Sequence, residues 1–332
     1  MDEKLINSIR NYLIDNKIFN KNILVALSGG PDSVSLLFLL NSVKEEFSIN
    51  LSAAYVNHGL RSKEENLVDY DIVKEHCSNL GVKLHVKIFK QGEIFEISKE
   101  RRNSIESVSR ELRYNFFNQL VAKDDLIAVA HNRDDQIETQ IMRFFQGSSY
   151  EGLIGIKSER GNIIRPLINI EKSYLLSYLN SERIKFALDK TNSENDYLRN
   201  KIRNILIPTI EEVFPSFRNS LSKLEGKLID LNQFINLKSK DLEWTNILGS
   251  WVTSYNDFLN LSYLERENEI YRVFDKTFHG DIPSYRLPNR FLKPIRKLNF
   301  KNNEIILEGH GIQFYRNKEH LIWTLLNNKL LK

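Results

Sequence analysis

The chain has 332 residues, 41% hydrophobic and 27% charged, with a formal net charge of +4. A chain this long buries a sizeable core, which sets aside intrinsic disorder and disulfide-stapled miniproteins. Cys77 is the single cysteine, which excludes an intramolecular disulfide, a Cys-rich zinc site and any chemistry needing two thiols in one chain. No apolar run approaches the ~20 residues of a membrane span, and the amphipathic, early-acidic N-terminus has no signal-peptide core. A cytoplasmic protein without membrane attachment is expected.

The first 200 residues alternate short apolar runs with helical patterns. A strand at 23–27 (ILVAL) enters a Gly-Gly turn and the apolar stripe Val34, Leu36, Leu37, Leu39, Leu40. Strands follow at 51–56, 84–89 and 126–130, with helices at 64–80, 105–121 and 134–145. Apolar strands alternating with helices predict an α/β fold, a doubly wound parallel sheet covered on both faces. Ligands of such sheets bind at the carboxyl ends of the strands. Further helices are expected at 171–180 and 199–214, with Pro208 as a kink or boundary. Pro215 marks the domain break, giving a catalytic domain over 1–214 and a smaller helical/α+β domain over 215–332. Residues 216–279 read as mostly helical, with Leu221, Leu224, Leu228 and Leu231 on one face. The segment EIILEGHGIQFYRNKEHLIWTLL reads as two or three short antiparallel strands.

The strongest local signal is the hexapeptide Ser28-Gly29-Gly30-Pro31-Asp32-Ser33 between the first strand and its helix. Two glycines let the backbone approach a ligand closely, and successive N–H groups make a nest for phosphate oxygens. The helix N-terminus adds its positive dipole end. It is no Walker A loop, because the Gly-Lys-Ser/Thr ending is missing.

SGGPDS resembles the PP-loop of the ATP pyrophosphatase superfamily, whose members cleave ATP to AMP and pyrophosphate. The resemblance implies ATP as co-substrate, pyrophosphate held by residues 28–33, and Mg²⁺ held with the help of Asp32, a hard-oxygen ligand. Further segments narrow the family: VNHGLR at 56–61, NSIESVSRELRY at 103–114, HNRDDQIET at 131–139, RPL at 165–167 and DKTNSENDYLRNKIRNILIP at 189–208. Together these resemble the tRNA(Ile)-lysidine synthases, with Arg133 and Ser109 as departures from the pattern. A weaker resemblance to that family's first C-terminal module runs to about residue 323. The further module of longer members is expected to be absent.

The resemblance implies ligation of L-lysine to C2 of the wobble cytidine of the isoleucine tRNA with a CAU anticodon. An adenylated cytidine is the intermediate, and AMP and pyrophosphate are released. A lysine pocket needs carboxylates for its ammonium and a guanidinium for its carboxylate. Asp135 and Glu138, three apart on one helix face beside Asp134, fit the first need, although acids at a helix start also serve as caps. Arg113 and Arg203 are the expected anion contacts, on helices that also carry Glu106, Arg110 and Arg199. His58 and Arg61 are placed near the nucleotide edge, and His131 beside a phosphate or the base. Cys77 reads as core filler, His279, His310 and His320 as surface or packing residues, and Trp244 and Trp251 as core.

Residues 215–332 hold 18 Lys/Arg against 13 Asp/Glu. The densest stretch, with Arg286, Arg290, Lys293, Arg296, Lys297 and Lys301, contains no acid. Either a solvated face or a phosphate-backbone contact explains it; with the family resemblance, Arg290, Lys293, Arg296 and Lys297 become the expected tRNA contacts. No obligatory protein partner is implied, and a homodimer is left open. Two other readings share the loop: an AMP-forming PP-loop synthetase or amidotransferase acting on a small molecule, and a nucleotide sensor without turnover.

Overall fold

The computed structural model describes residues 2–60, 63–187, 198–238, 242–277, 287, 289–309 and 311–326. The chain divides into two compact units, Met1–Met142 with Gly155–Asn219, and Arg143–Ile154 with Ser220–Lys332. Among the described residues no helix is long and apolar enough to cross a membrane.

The first unit opens with α1 (Glu3–Asp15), β1 (Asn22–Ala26), α2 (Pro31–Val43), β2 (Asn50–Asn57), α3 (Lys63–Leu80) and β3 (Lys83–Ile88). It continues through α4 (Glu93–Arg101), α5 (Ile105–Leu120), β4 (Leu126–Ala128) and α6 (Arg133–Phe145). After α7 (Tyr150–Leu153), which belongs to the second unit, the first unit resumes with β5 (Glu159–Arg160), β6 (Ile163–Ile164) and α8 (Lys172–Ser181). The six-stranded sheet has the order β3-β2-β1-β4-β6-β5. All its pairings are parallel except that of the two-residue edge strand β5.

Strand β1 shows why its sequence is apolar from Ile23 onward. Ile23 and Val25 point into a core shared with Ile9 and Leu13 of α1, Leu36 and Leu40 of α2, and Leu175 of α8. Leu24 points the other way, onto Tyr114 and Phe117 of α5. A strand with helices on both faces has no polar side, so alternation disappears. The edge strand β3 lacks that cover, and Val86 and Ile88 are exposed beside Lys83 and Lys87.

The expected helix at 199–214 is three pieces: α9 (Leu198–Lys201), a π-helical turn (Ile202–Leu206) and α10 (Ile207–Val213). Pro208 sits in the first turn of α10, where its missing N–H costs little. The wide turn before it carries Arg203.

Helix α11 (Phe217–Lys238) leads into the second unit. There β7 (Thr245–Ile247), β8 (Ser250–Ser254), α12 (Tyr255–Asn260), α13 (Tyr263–Thr277), α14 (Asn289–Leu292) and a 3₁₀ turn (Lys293–Arg296) precede β9 (Ile305–Gly309), β10 (Ile312–Asn317) and β11 (His320–Leu325). The antiparallel sheet has five strands, ordered β7-β8-β11-β10-β9. The reading of 216–279 as mostly helical holds for α11, α12 and α13 but misses the strands β7 and β8. β7 is exposed along its length and shows no apolar alternation, and β8 pairs with β11, some seventy positions further on. The core is aromatic: Phe314 pairs with Trp323 across β10 and β11, their ring centroids 5.9 Å apart, and Phe258 stands edge-on to Phe314.

Candidate active site

The loop after β1 is tied to β2, Leu27 N–H donating to the Ala54 carbonyl at 2.9 Å. Gly29 has φ +87°, and a Cβ there would lie 3.3 Å from the Asp69 carbonyl oxygen, so the turn needs glycine on both counts. The Ser33 hydroxyl donates to the Gly30 carbonyl at 2.9 Å and accepts from Ser28 N–H at 3.1 Å, closing the loop on itself. Pro31 starts α2, and no side chain caps that helix. Its first amides are thus left to an external acceptor.

A cavity of about 700 Å³ opens over the loop. Ser28, Gly30, Pro31, Asp32 and Ser33 form one wall, with Gly29 behind them. His58 from the end of β2, Arg113 with Arg110 from α5, and His131 from the end of β4 complete it. The strand ends converge as the parallel topology requires.

The electrostatics separate these groups. Burial, and then the positive charge of Arg165, Arg110, Arg199 and Arg113, holds the His131 pKa well below its usual range. His131 is therefore a neutral imidazole at physiological pH. Its Nδ1 accepts from Arg165 Nε at 3.3 Å, which puts the ring proton on Nε2. Burial and the nearby Arg113 push His58 down to about 4, and its ring stacks against Phe89. Arg113 is itself lowered by burial but stays a cation. Burial raises the Asp32 pKa, opposed by the charge of Lys172.

Beside the cavity, α6 begins with a capping box. Asn132 Oδ1 accepts from Asp134 N–H and Asp135 N–H, and Asp135 Oδ2 accepts in return from Asn132 N–H at 3.0 Å. The same Asn132 donates through Nδ2 to Asp32 Oδ1 at 3.0 Å, joining the loop to the start of α6. One turn on, Glu138 is 1% exposed. It accepts from Arg199 Nε at 2.7 Å and from Arg203 Nε and Nη2 at 2.5 and 3.1 Å. Asp135 Oδ1 accepts from Arg199 Nη2 at 2.8 Å. Burial works against the Arg203 charge, but Glu138 and Asp135 outweigh it and raise its pKa.

The PP-loop domain family matches residues 1–210. A tRNA(Ile)-lysidine synthase of Borreliella afzelii (strain PKo) is 32% identical over 327 residues, covering 96% of this chain and 71% of the relative. Another from Clostridium acetobutylicum is 37% identical over 338 residues, covering 95% and 70%. The chain belongs to the tRNA(Ile)-lysidine synthase family. Among solved structures, the U34-tRNA thiolase NcsA of Methanococcus maripaludis aligns with TM-score 0.57 at 21% identity, over 69% of this chain and 79% of that one, a likeness of fold.

Set against this lysidine synthase family's motifs, the structure joins the loop, His58, Arg113 and His131 in one cavity, and gathers Asp135, Glu138 and Arg203 beside it. The carboxylates are not open, however: both are taken up by Arg199, Arg203 and the helix cap. Two contributors, Asn132 and Lys172, go unmarked in the sequence, and Arg199 is noted there only as a neighbour of Arg203 without a role. Asn132 is signalled only as a cap residue three before an acid, Lys172 by a cation at a helix start, and Arg199 by its i,i+4 spacing from Arg203. The two departures from the family pattern, Ser109 and Arg133, are both buried. Cys77 is buried and its thiol is pushed up to about 11 by burial, which leaves it inert.

In the second unit Lys293, Arg296 and Lys297 are exposed over the anchors Leu292 and Ile295. Arg296 lies over the Tyr263 ring at 4.4 Å, and Lys297 pairs with Glu304 at 2.9 Å. The acid-free stretch is thus partly neutralised by an acid just beyond it. Trp244 is core and donates to Glu269. Arg61, residues 189–197, His279, Arg286 and His310 lie outside the described residues, and of Arg290 only the backbone is described.

Proposed function

We propose that this chain joins L-lysine to C2 of the wobble cytidine of a CAU-anticodon isoleucine tRNA, using ATP. The observation that carries the reading is the single cavity in which an anion-binding loop faces arginines and a neutral histidine, in a chain of the lysidine synthase family. The α2 amides and residues 28–33 cradle the β- and γ-phosphates. The C2 carbonyl oxygen of cytidine attacks the α-phosphorus, the bond to the bridging oxygen breaks, and pyrophosphate leaves. Arg113 serves the charge that develops on the phosphoryl oxygens. His131, protonated on Nε2 alone, donates a hydrogen bond without adding a charge. In the second step the ε-nitrogen of lysine bonds to C2 and the C2–O bond breaks. AMP leaves carrying that oxygen, and the amine's protons pass to water.

Among the described residues no three His, Cys, Asp or Glu side chains converge on a metal site. The lone Asp32 carboxylate at the loop suits Mg²⁺, which is commonly held by one or two carboxylates and substrate phosphates. Asp32 would hold it, and its charge would offset that on the departing pyrophosphate.

The carboxylate–arginine cluster is the proposed lysine site. A lysine zwitterion can exchange into such a ladder, its ammonium meeting Asp135 or Glu138 and its carboxylate meeting Arg199 or Arg203. Arg199, the more exposed of the two, is the partner that moves. The exposed cations of the second unit provide backbone contacts for tRNA. A tRNA substrate places the reaction in the cytoplasm. Incubating the chain with ATP, labelled lysine and bulk tRNA, then digesting to nucleosides, tests the reading. A labelled nucleoside from the CAU isoleucine tRNA is expected. ATP cleavage driven by a small molecule, with no label in tRNA, would establish the small-molecule synthetase instead.

A further inference from the structure

We infer that Lys172 is a phosphate-binding residue of this site, the cation that meets the β- and γ-phosphates and holds the departing pyrophosphate. The inference rests on the ATP reading above and adds a residue that the loop motif does not contain.

Lys172 lines the loop cavity, and its Nζ lies 3.5 Å from Asp32 Oδ2. Its backbone is fixed, the Lys172 N–H donating to Asp134 Oδ2 at 2.8 Å. The helix it opens is anchored by the fully buried Leu175 and Leu179. The stem is thus held at its root, while the side chain is about a third exposed and its ammonium can swing on four carbons.

Local structure gives no reason for a lysine here. It is the first residue of α8, whose first turn contains no acid. A cation at that end opposes the helix dipole. A residue that breaks a local rule at a cleft is where function is to be sought. Its partner is a carboxylate that the mechanism needs for other work, and phosphate oxygens offer the ammonium a stronger anion.

Three of the other cations near the loop are engaged by groups away from it. Arg199 and Arg203 are engaged by Glu138 and Asp135. Arg165 donates to His131 and to the Lys157 carbonyl. Arg110 and Arg113 stand on the α5 wall against Tyr114. Lys172 is the cation beside Asp32, where the loop amides and the start of α2 direct the terminal phosphates.

Calorimetric titration of the full chain with inorganic pyrophosphate, in EDTA and again with Mg²⁺, tests this. Lys172→Met should weaken binding roughly tenfold to a hundredfold in both buffers, the loss of one charge-assisted contact. Lys172→Arg should retain most of the affinity. In the wild-type chain, pyrophosphate should protect Lys172 from amine acylation read by mass spectrometry, while exposed Lys293 is labelled equally with and without it. That footprint decides the matter should Lys172→Met not fold. Wild-type affinity in Lys172→Met, or unchanged labelling of Lys172, overturns the inference alone. A wild-type chain that binds no pyrophosphate overturns the ATP reading with it.

Discussion

Replacing Glu138 by Gln keeps the shape of the side chain and removes its charge. Glu138 receives three hydrogen bonds from two arginines. An amide must turn its NH₂ toward one of those donors, so at least one bond becomes a donor–donor contact. The other two weaken from charge-assisted to neutral. Breaking a buried ion pair by removing one partner costs ~3–5 kcal/mol. Here the carboxylate is 1% exposed but the arginines are 44% and 31% exposed, so water recovers part of that and about 2–3 kcal/mol is expected. With a urea m-value of ~2–3 kcal/mol/M for a unit of this size, the midpoint should fall by about 1 M. The three tryptophans, Trp244, Trp251 and Trp323, all lie in the second unit. Far-UV circular dichroism should therefore show the loss while tryptophan fluorescence keeps its wild-type midpoint. Lysine KM should rise and tRNA Kd should stay. A circular dichroism midpoint within about 0.2 M of wild type would mean that the cluster does not hold the fold together, and the ladder reasoning fails.

Gly59 has φ +64°, and a Cβ there would lie 2.7 Å from the Lys90 carbonyl oxygen and 2.9 Å from that of Phe89. Gly59→Ala should cost at least ~2 kcal/mol and displace neighbouring His58, read by thermal melting and ATP affinity. His58 is held at about 4 by burial and Arg113, against ~6.5 unfolded. The unfolded chain therefore takes up a proton that the native chain refuses. Stability is complete above pH 6.5 and falls through the window from 6.5 to 4, by roughly 3 kcal/mol; His58→Gln should flatten that acid slope in urea titrations across pH. Lys293→Ala, Arg296→Ala and Lys297→Ala combined should weaken tRNA binding and reduce the log K against log salt slope by about one to two units. The reduction stays short of three because Lys297 already pairs with Glu304. A wild-type salt slope would make that face merely solvated.

The parallel sheet was legible because burial on both faces leaves the central strand β1 no polar position from Ile23 onward, as Leu24 and Val25 show from opposite sides. The loop was legible because its chemistry is local: Gly29 needs positive φ, Pro31 starts the helix, and Ser33 closes the turn. Strands β7 and β8 were not, since one is solvent-exposed and the other depends on a distant partner. The state of Glu138 was equally hidden. Acid spacing puts Asp135 and Glu138 on one face, but only the packing of 198–206 against α6 shows that arginines occupy both. Asn132 and Lys172 act through contacts to Asp32 at separations of 100 and 140 positions, which no local window contains.

The adenylated-base mechanism is tested most directly by an oxygen label. Isoleucine tRNA carrying ¹⁸O at C2 of its wobble cytidine is incubated with the chain, ATP and lysine, and the nucleotide products are weighed by mass spectrometry. The oxygen should appear in the phosphoryl group of AMP, one atom for each lysine incorporated, beside unlabelled pyrophosphate. AMP without the label, or ADP and phosphate as the products, would contradict the account.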